Sequence, residues 1–417
     1  MTEQHYRRSE NRAPIGFVEF VAMIAAMMML NALGIDSMLP ALPAIGDSLD
    51  IDSANHRQFI ISAFLIGFGA AMLVYGPLAD RFGRRPVLVI ALVGYIVANL
   101  LAAISGSFAL LLVARVFGGA MVAGVRAVTV ALVRDCFEGR AMARVMSLAF
   151  IIFMAAPVLA PTVGAAVLLV ADWRWIFGVI ALAALAVLLW FMLRMPETLP
   201  VAERRSLRLG ELRAGYARVL ADRPAVGYTL AATALQGALF GFVGSVQQVV
   251  ADVFGRPDLL TVIFACVAGP MAIASFLNSR IVMRLGTRLI SHSALCGFIL
   301  FAAIHLIFAL SGHETLASFA IVQGLMMMCF SLAGANFSAM AMENMGDLAG
   351  TASSFQGFVA VLGGAVIGAV IGQAFDGSTV PLYTGFVVAG LAALAAVAIT
   401  ERGRLFRAVH PPAVEQR

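Results

Sequence analysis

No lysine occurs in this chain of 417 residues, and all 28 basic side chains are arginines. That excludes a phosphate-binding loop of the Walker A kind, whose lysine must reach the nucleotide phosphates. Charge of either sign is scarce, at 12% of residues against about a quarter in an average soluble domain. Only four cysteines are present, Cys136, Cys266, Cys296 and Cys329. They have no metal-ligand spacing among themselves or with the six histidines, so they read as packing thiols, and no metal site or disulfide framework is expected. The sequence also lacks a nucleophile–base constellation, an HExxH-type site and a loop long enough for a soluble catalytic domain. An enzyme is not expected.

What the chain has is apolar length. Hydrophobic residues make up 61% and the mean hydropathy is +0.95. Eleven runs contain no Asp, Glu or Arg: 20–35, 58–79, 86–114, 145–171, 175–193, 224–251, 259–279, 289–313, 315–342, 348–375 and 377–400. A twelfth, 116–133, is interrupted only by Arg126. A spanning helix needs about 20 apolar residues, so an all-α membrane protein of twelve transmembrane helices is expected. The first run follows Arg7, Arg8 and Arg12 without a clean small-x-small cleavage site, and reads as helix 1 rather than a signal peptide. Placing both termini in the cytoplasm puts 23 of the 28 arginines on that side. Only Arg57, Arg174 and Arg256 fall outside, with Arg115 and Arg126 inside helix 4. This positive-inside bias assigns the net charge of +5 to topology and lipid headgroups, not to nucleic acid.

The pattern divides into 1–194 with six helices, a polar connection 195–223, and 224–417 with six more. Within the connection, Leu207, Leu212, Tyr216, Val219 and Leu220 are spaced for an amphipathic helix on the inner membrane surface. The most distinctive stretch is the turn 76–85, Gly-Pro-Leu-Ala-Asp-Arg-Phe-Gly-Arg-Arg, between the second and third runs. A worn copy returns as Arg284-x-Gly286-x-Arg288, with Met283 where Asp80 stood. Two related halves are a building principle of secondary transporters.

The turn matches G-x-x-x-D-R-x-G-R-R, the signature of the major facilitator superfamily, at every fixed position. More narrowly the chain resembles the bicyclomycin and chloramphenicol resistance (Bcr/CflA) branch of drug:proton antiporters. The resembling pieces begin at Asp36 (DSMLPALP), Arg134 (RD), Ala156 (APVLAP), Pro196 (PETLP), Asn278 (NSR) and Gly350 (GTASS), spread over nearly the whole length. The resemblance implies two pseudo-symmetric six-helix bundles around a central cavity, alternating access in a bacterial inner membrane, and a monomer needing no cofactor beyond the proton. Its partners would be small amphiphilic drug-like substrates, protons and membrane lipids.

Site residues follow from both readings. In the turn, Gly76 permits close helix approach, Asp80 is placed to meet the N-terminus of helix 11, and Arg84 can pair with Asp135. With Arg81, Gly83 and Arg85 they would form a cytoplasmic gate. A plain positively charged loop would explain the arginines but not the glycines and the acid. On helix 1, Asp36 is the expected proton carrier, with helix-end capping beside Pro40 as the alternative. On helix 4, Arg115 resembles the family arginine linked to proton coupling, and it is expected as the cation neighbouring the Asp36 carboxylate. Arg126 lies eleven positions on, about 16 Å along nearly the same face; it either lines the cavity or snorkels to the headgroups. Met29, Leu33, Gln236, Phe240 and Asn336 are further cavity candidates, as are the methionines around Met27 and Met327 and Phe242. Pro157, Pro161 and Gly164 resemble the antiporter motif of helix 5, a bent helix with a notch for a neighbour. His305 reads as a packing residue. Export of drug-like compounds is the leading expectation, and proton-driven import of a nutrient the competing one.

Overall fold

The computed structural model describes residues 13–137, 139–204 and 209–407, and every regular element among them is helical. Twelve are long and apolar enough to cross a membrane: α1 (Phe17–Ser48), α2 (Ala54–Phe82), α3 (Arg84–Ala103), α4 (Phe108–Cys136), α5 (Arg144–Leu168), α6 (Arg174–Arg194), α7 (Arg223–Val253), α8 (Pro257–Leu285), α9 (Thr287–Ser311), α10 (Leu316–Ala341), α11 (Ala349–Gln373) and α12 (Val380–Thr400). The chain forms two compact units that part between Gly210 and Glu211, with α1–α6 in the first and α7–α12 in the second.

In the first unit, α2 and α4 form the closest pair. A side chain at Gly67 would collide with the Val116 carbonyl, and one at Gly119 with the Phe64 carbonyl. Small residues let backbones meet where lipid offers no hydrophobic drive for helix association. In the second unit α7 and α11 are matched the same way. Gly237 and Gly241 face Ile367 and Ile371, while Gly364 and Gly368 face Gln236 and Phe240. Each of these two helices also carries one π-helical turn, Val249–Val253 and Val359–Gly363.

The repeated motif makes the same bend twice. Gly83 (φ 100°, ψ 160°) ends α2 and begins α3, and Gly286 (φ 79°, ψ 156°) does the same for α8 and α9. That backbone region is open essentially to glycine alone, which is why both copies keep this residue.

The connection contains a helix, Leu209–Ala221. Leu207 and the Leu212 side chain lie outside the described residues, as do Arg205 and Arg208. Val219 is buried against Ala225, Met345 and Ala352, and Gly215 sits over Thr351. A helix is therefore present where the apolar spacing predicts one. Its apolar side is taken up by protein, and Leu220 is the part left exposed.

Candidate functional site

At the turn end of the first unit, Arg84 is the centre of a buried charge cluster. Its side chain is 3% exposed; Nη1 lies 2.6 Å from Asp80 and Nε 2.9 Å from Asp135. Arg134 approaches Asp80 at 4.0 Å. The Arg84–Asp135 pair is the one the motif spacing predicts. What that spacing misses is Glu197 of the 196–200 piece. Its carboxylate accepts the backbone N–H groups of Arg84 (2.9 Å) and Arg85 (3.1 Å), capping α3, while Thr198 donates to Asp135 at 3.1 Å. Arg85 donates to the Met192 carbonyl, Arg81 stays exposed over the Phe82 ring, and Gly76 is half-buried in α2.

The first α-helical segment of α1 ends at Asp36; a 3-10 turn, Leu39–Ala41, interrupts the helix before it resumes over Leu42–Ser48. Met29, Leu33 and Asp36 share a face by their spacing of four and three. Asp36 is buried, and among the described residues its carboxylate has neither a hydrogen bond nor an ion pair. Two other acids of the chain, Glu19 and Glu343, are committed to partners. Glu19 accepts from Arg194 at 2.7 and 2.8 Å and from Trp190 at 3.2 Å, and Glu343 lies 3.1 Å from Arg288.

Arg115 does not neutralise Asp36. Its guanidinium donates to the carbonyls of Gly34 (2.6 Å) and Ile60 (3.1 Å) and stacks over Phe64 at 4.3 Å. The expected effect of this cation on Asp36 through pairing is therefore replaced by a backbone clamp two residues away. Carbonyl dipoles and an aromatic face are the partners that make a buried guanidinium tolerable. Tyr95 reinforces the clamp by donating to the Leu30 carbonyl at 3.0 Å. Gly164 of α5 packs directly on the Ser37 backbone, where any side chain would overlap. The expected notch thus receives the break in α1 just beyond Asp36. Pro157 starts the helical segment Ala156–Leu168, and Pro161 lies inside it.

Arg126 is exposed, with its guanidinium 5.8 Å from the Phe68 ring. Gln236 and Phe240 are half-buried along the α7–α11 seam. Asn336 is a correction to the cavity expectation. It is buried and donates to Asn278 (2.9 Å) and to the Leu332 carbonyl (2.8 Å), so it clamps α10 to α8. Met27, Met326, Met327 and Phe242 are core side chains rather than a soft lining. Asn31, which the sequence reading passed over, has a buried Oδ1 without a partner on α1. A polar residue in an apolar run is the signal that could have found it.

Comparison with known proteins fits this architecture. Residues 24–369 match the family profile described as Major Facilitator Superfamily. An "Uncharacterized MFS-type transporter YdgK" of Bacillus subtilis is 30% identical over 356 residues, 84% of this chain and 87% of the relative. A "Bicyclomycin resistance protein homolog" of Haemophilus influenzae is 31% identical over 368 residues, 84% and 88% of the two chains. "Multidrug resistance protein MdtL" of Escherichia coli is 34% identical over 188 residues, 45% of this chain and 48% of MdtL. Among solved structures, a D-xylose–proton symporter aligns over 92% of this chain and 97% of its own, with TM-score 0.68 and 16% identity. The human organic anion transporter MFSD10 (TETRAN) aligns over 93% and 100%, with TM-score 0.60 and 18% identity. Those two likenesses concern the fold.

Proposed function

This chain belongs to the major facilitator superfamily, and we propose that within it the protein is a proton-coupled exporter of small amphiphilic drug-like compounds. It works by alternating access as a monomer in the bacterial inner membrane, both termini cytoplasmic, with the proton as coupling ion and no cofactor. The reading rests on Asp36, a buried carboxylate without a partner among the described residues, at the point where α1 breaks and α5 seats. An acid so placed is free to take and release a proton, as the antiport half-reaction requires. Arg115 holds the adjoining backbone through Gly34. Arg126, Met29, Leu33, Gln236 and Phe240 are the residues assigned to the substrate. The arginine excess on one side and the similarity to bicyclomycin- and multidrug-resistance proteins support orientation and direction. The cluster around Arg84, including Gly76, Asp80, Arg81, Gly83, Arg85 and Asp135, is the cytoplasmic gate element of the first unit.

Energised everted vesicles test the direction. They are expected to accumulate ethidium or chloramphenicol, and a protonophore to abolish the accumulation. Asp36→Asn keeps volume and polarity but removes the titrating proton, so drug-binding should survive while accumulation falls at least tenfold. Uptake into right-side-out cells driven by an inward proton gradient would overturn export in favour of nutrient import.

A further inference from the structure

In the second unit His305, which its sequence context marks as a packing residue, is paired with an acid. Glu314, in the connection between α9 and α10, turns inward until its side chain is only 9% exposed. One carboxylate oxygen lies 2.5 Å from Nε2 of His305 and the other accepts the Thr379 hydroxyl at 2.5 Å. His305 is fully buried, stacked on Tyr383 at 4.1 Å and edge-on to Phe319 at 6.0 Å. Among the described residues its Nδ1 has no partner, and neither has Nε2 of the nearby Gln323, whose carbonyl accepts the Tyr383 hydroxyl at 2.9 Å. A cavity of about 230 Å³ reaches the Glu314 side of the pair, lined by Phe254, Gly312, Glu314, Ser378 and Thr379. This is the end of the unit opposite the Gly286 turn.

We propose that His305 and Glu314 form a second proton-binding site, separate from Asp36 and loaded through this cavity from the outer side of the membrane. The hydrogen-bond roles follow from the charge of the acid. With Glu314 ionised, Nε2 carries the hydrogen, because two acceptors would otherwise confront each other. The bare Nδ1 is then the vacant base. Without the extra proton the pair is a neutral imidazole and a carboxylate, with net charge of minus one. With a proton on Nδ1 it is imidazolium and carboxylate, with net charge zero. Burial penalises net charge far more than an internal pair, so the pair holds the extra proton as a unit and releases it when water in the cavity solvates the carboxylate. The titratable and charged groups around it are few. Tyr383 stacks on the ring, Asp376 is occupied by Ser378 at 2.7 Å, and the end of α7 contributes Val253, followed by Phe254, to the cavity. No arginine forms an ion pair with Glu314 among the described residues.

Two experiments test the assignment, and only the second rests on the function proposed above. In the full chain, isotope-labelled at histidine and held in lipid nanodiscs, the His305 ring is followed by NMR from pH 5 to 9. Nε2 should stay protonated throughout while Nδ1 passes from imidazolium-like to imidazole-like, and Glu314→Gln should remove that passage. A ring locked in one state across the range, or a passage indifferent to Glu314→Gln, overturns the site. In the vesicle assay with ethidium, His305→Asn and Glu314→Gln should each move the dependence of transport on outer-side pH at least threefold in proton concentration. Inner-side dependence should remain, with Asp36 intact. An equal loss at every pH in both variants marks a structural role and overturns the loading route. Should wild type not move ethidium, the exporter reading fails for that probe and the NMR result alone decides the site.

Discussion

The two one-residue turns, at Gly83 and Gly286, share a backbone and differ in their charges. In the first unit the central cation is Arg84, held by an acid of α2, Asp80, and an acid of α4, Asp135, while Glu197 caps the following helix. In the second unit Met283 replaces Asp80 and Thr287 replaces Arg84, and the cation has moved one residue on to Arg288. Its partners come from the ends of other helices, Glu343 after α10 at 3.1 Å and Glu401 after α12 at 2.8 Å. Glu401 also accepts from Tyr228, which in turn faces His292 at 3.4 Å, and His292 accepts the Phe406 backbone N–H at 3.1 Å. The glycine is what folding demands, since both copies keep it. The acid of the turn is what only one unit needs, which separates Asp80 from the mechanics of bending.

The largest test of that contrast is Arg84→Gln. The substitution leaves Asp80 and Asp135, 34% and 12% exposed, without the cation they share, a loss of about 3 kcal/mol, the low end for a broken buried pair because water reaches Asp80. The corresponding Arg288→Gln should cost less, about 1–3 kcal/mol for an under-satisfied acceptor. Glu401 keeps the Tyr228 hydroxyl, and the Glu343 side chain is 43% exposed and can turn to solvent. Thermal unfolding in detergent measures both, and equal losses would break the comparison.

Next in size is the glycine itself. Alanine at either turn must adopt a backbone that costs about 1–3 kcal/mol. At Gly83 the added methyl also runs into the Glu197 carboxylate, whereas at Gly286 nothing lies within 4 Å. Gly83→Ala should therefore lower the melting temperature further than Gly286→Ala, and the reverse order would show that Glu197 does not cap α3 in solution.

Much of this was legible in the sequence, and the exceptions share a cause. The twelve spans follow from apolar length alone, and the turn from a motif whose partners are close in the chain or at a helix end. Arg84 and Asp135 could be paired because each sits at the same end of a predicted helix. Glu197, Glu401 and Glu314 could not be assigned, because their partners lie on helices whose rotation the sequence does not set. Asn336 failed for the same reason: a polar residue inside a span wants a partner, but only packing decides that Asn278 supplies it. Arg115 was expected to answer Asp36 and instead answers two carbonyls, a choice of acceptor that spacing cannot reveal.

A pH scan sharpens the second unit's side of the contrast. Burial works against the Glu401 carboxylate, but the hydrogen bonds from Tyr228 and Arg288 and the Arg288 charge outweigh it, so its pKa lies below the usual 4.5. A depressed carboxylate stabilises the fold above its unfolded-state value, and that contribution is lost as pH falls through the folded one. Tyr228→Phe removes one of the lowering bonds. Its melting temperature should begin to drop at a higher pH than wild type when both are scanned from pH 7 down to 3. Coincident profiles would remove Glu401 from the account.

The smallest effect is expected where the missing acid is put back. Met283 is 88% exposed at the last turn of α8, so Met283→Asp should change stability by no more than about 0.5 kcal/mol. The sign should be unfavourable, because a carboxylate opposes the negative end of the helix dipole. Asp80 occupies the same unfavourable place on α2 and is held there by Arg84 at 2.6 Å. Adding Thr287→Arg to Met283→Asp recreates that i,i+4 pair on an exposed surface, where the coupling in a double-mutant cycle should be about 0.3–0.5 kcal/mol. The Asp80–Arg84 coupling, measured the same way with Asp80→Asn and Arg84→Gln, should be several times larger, because the Arg84 side chain is 3% exposed. If the two couplings match, burial is not what distinguishes the turns, and the acid of the first unit owes its place to the transport cycle alone.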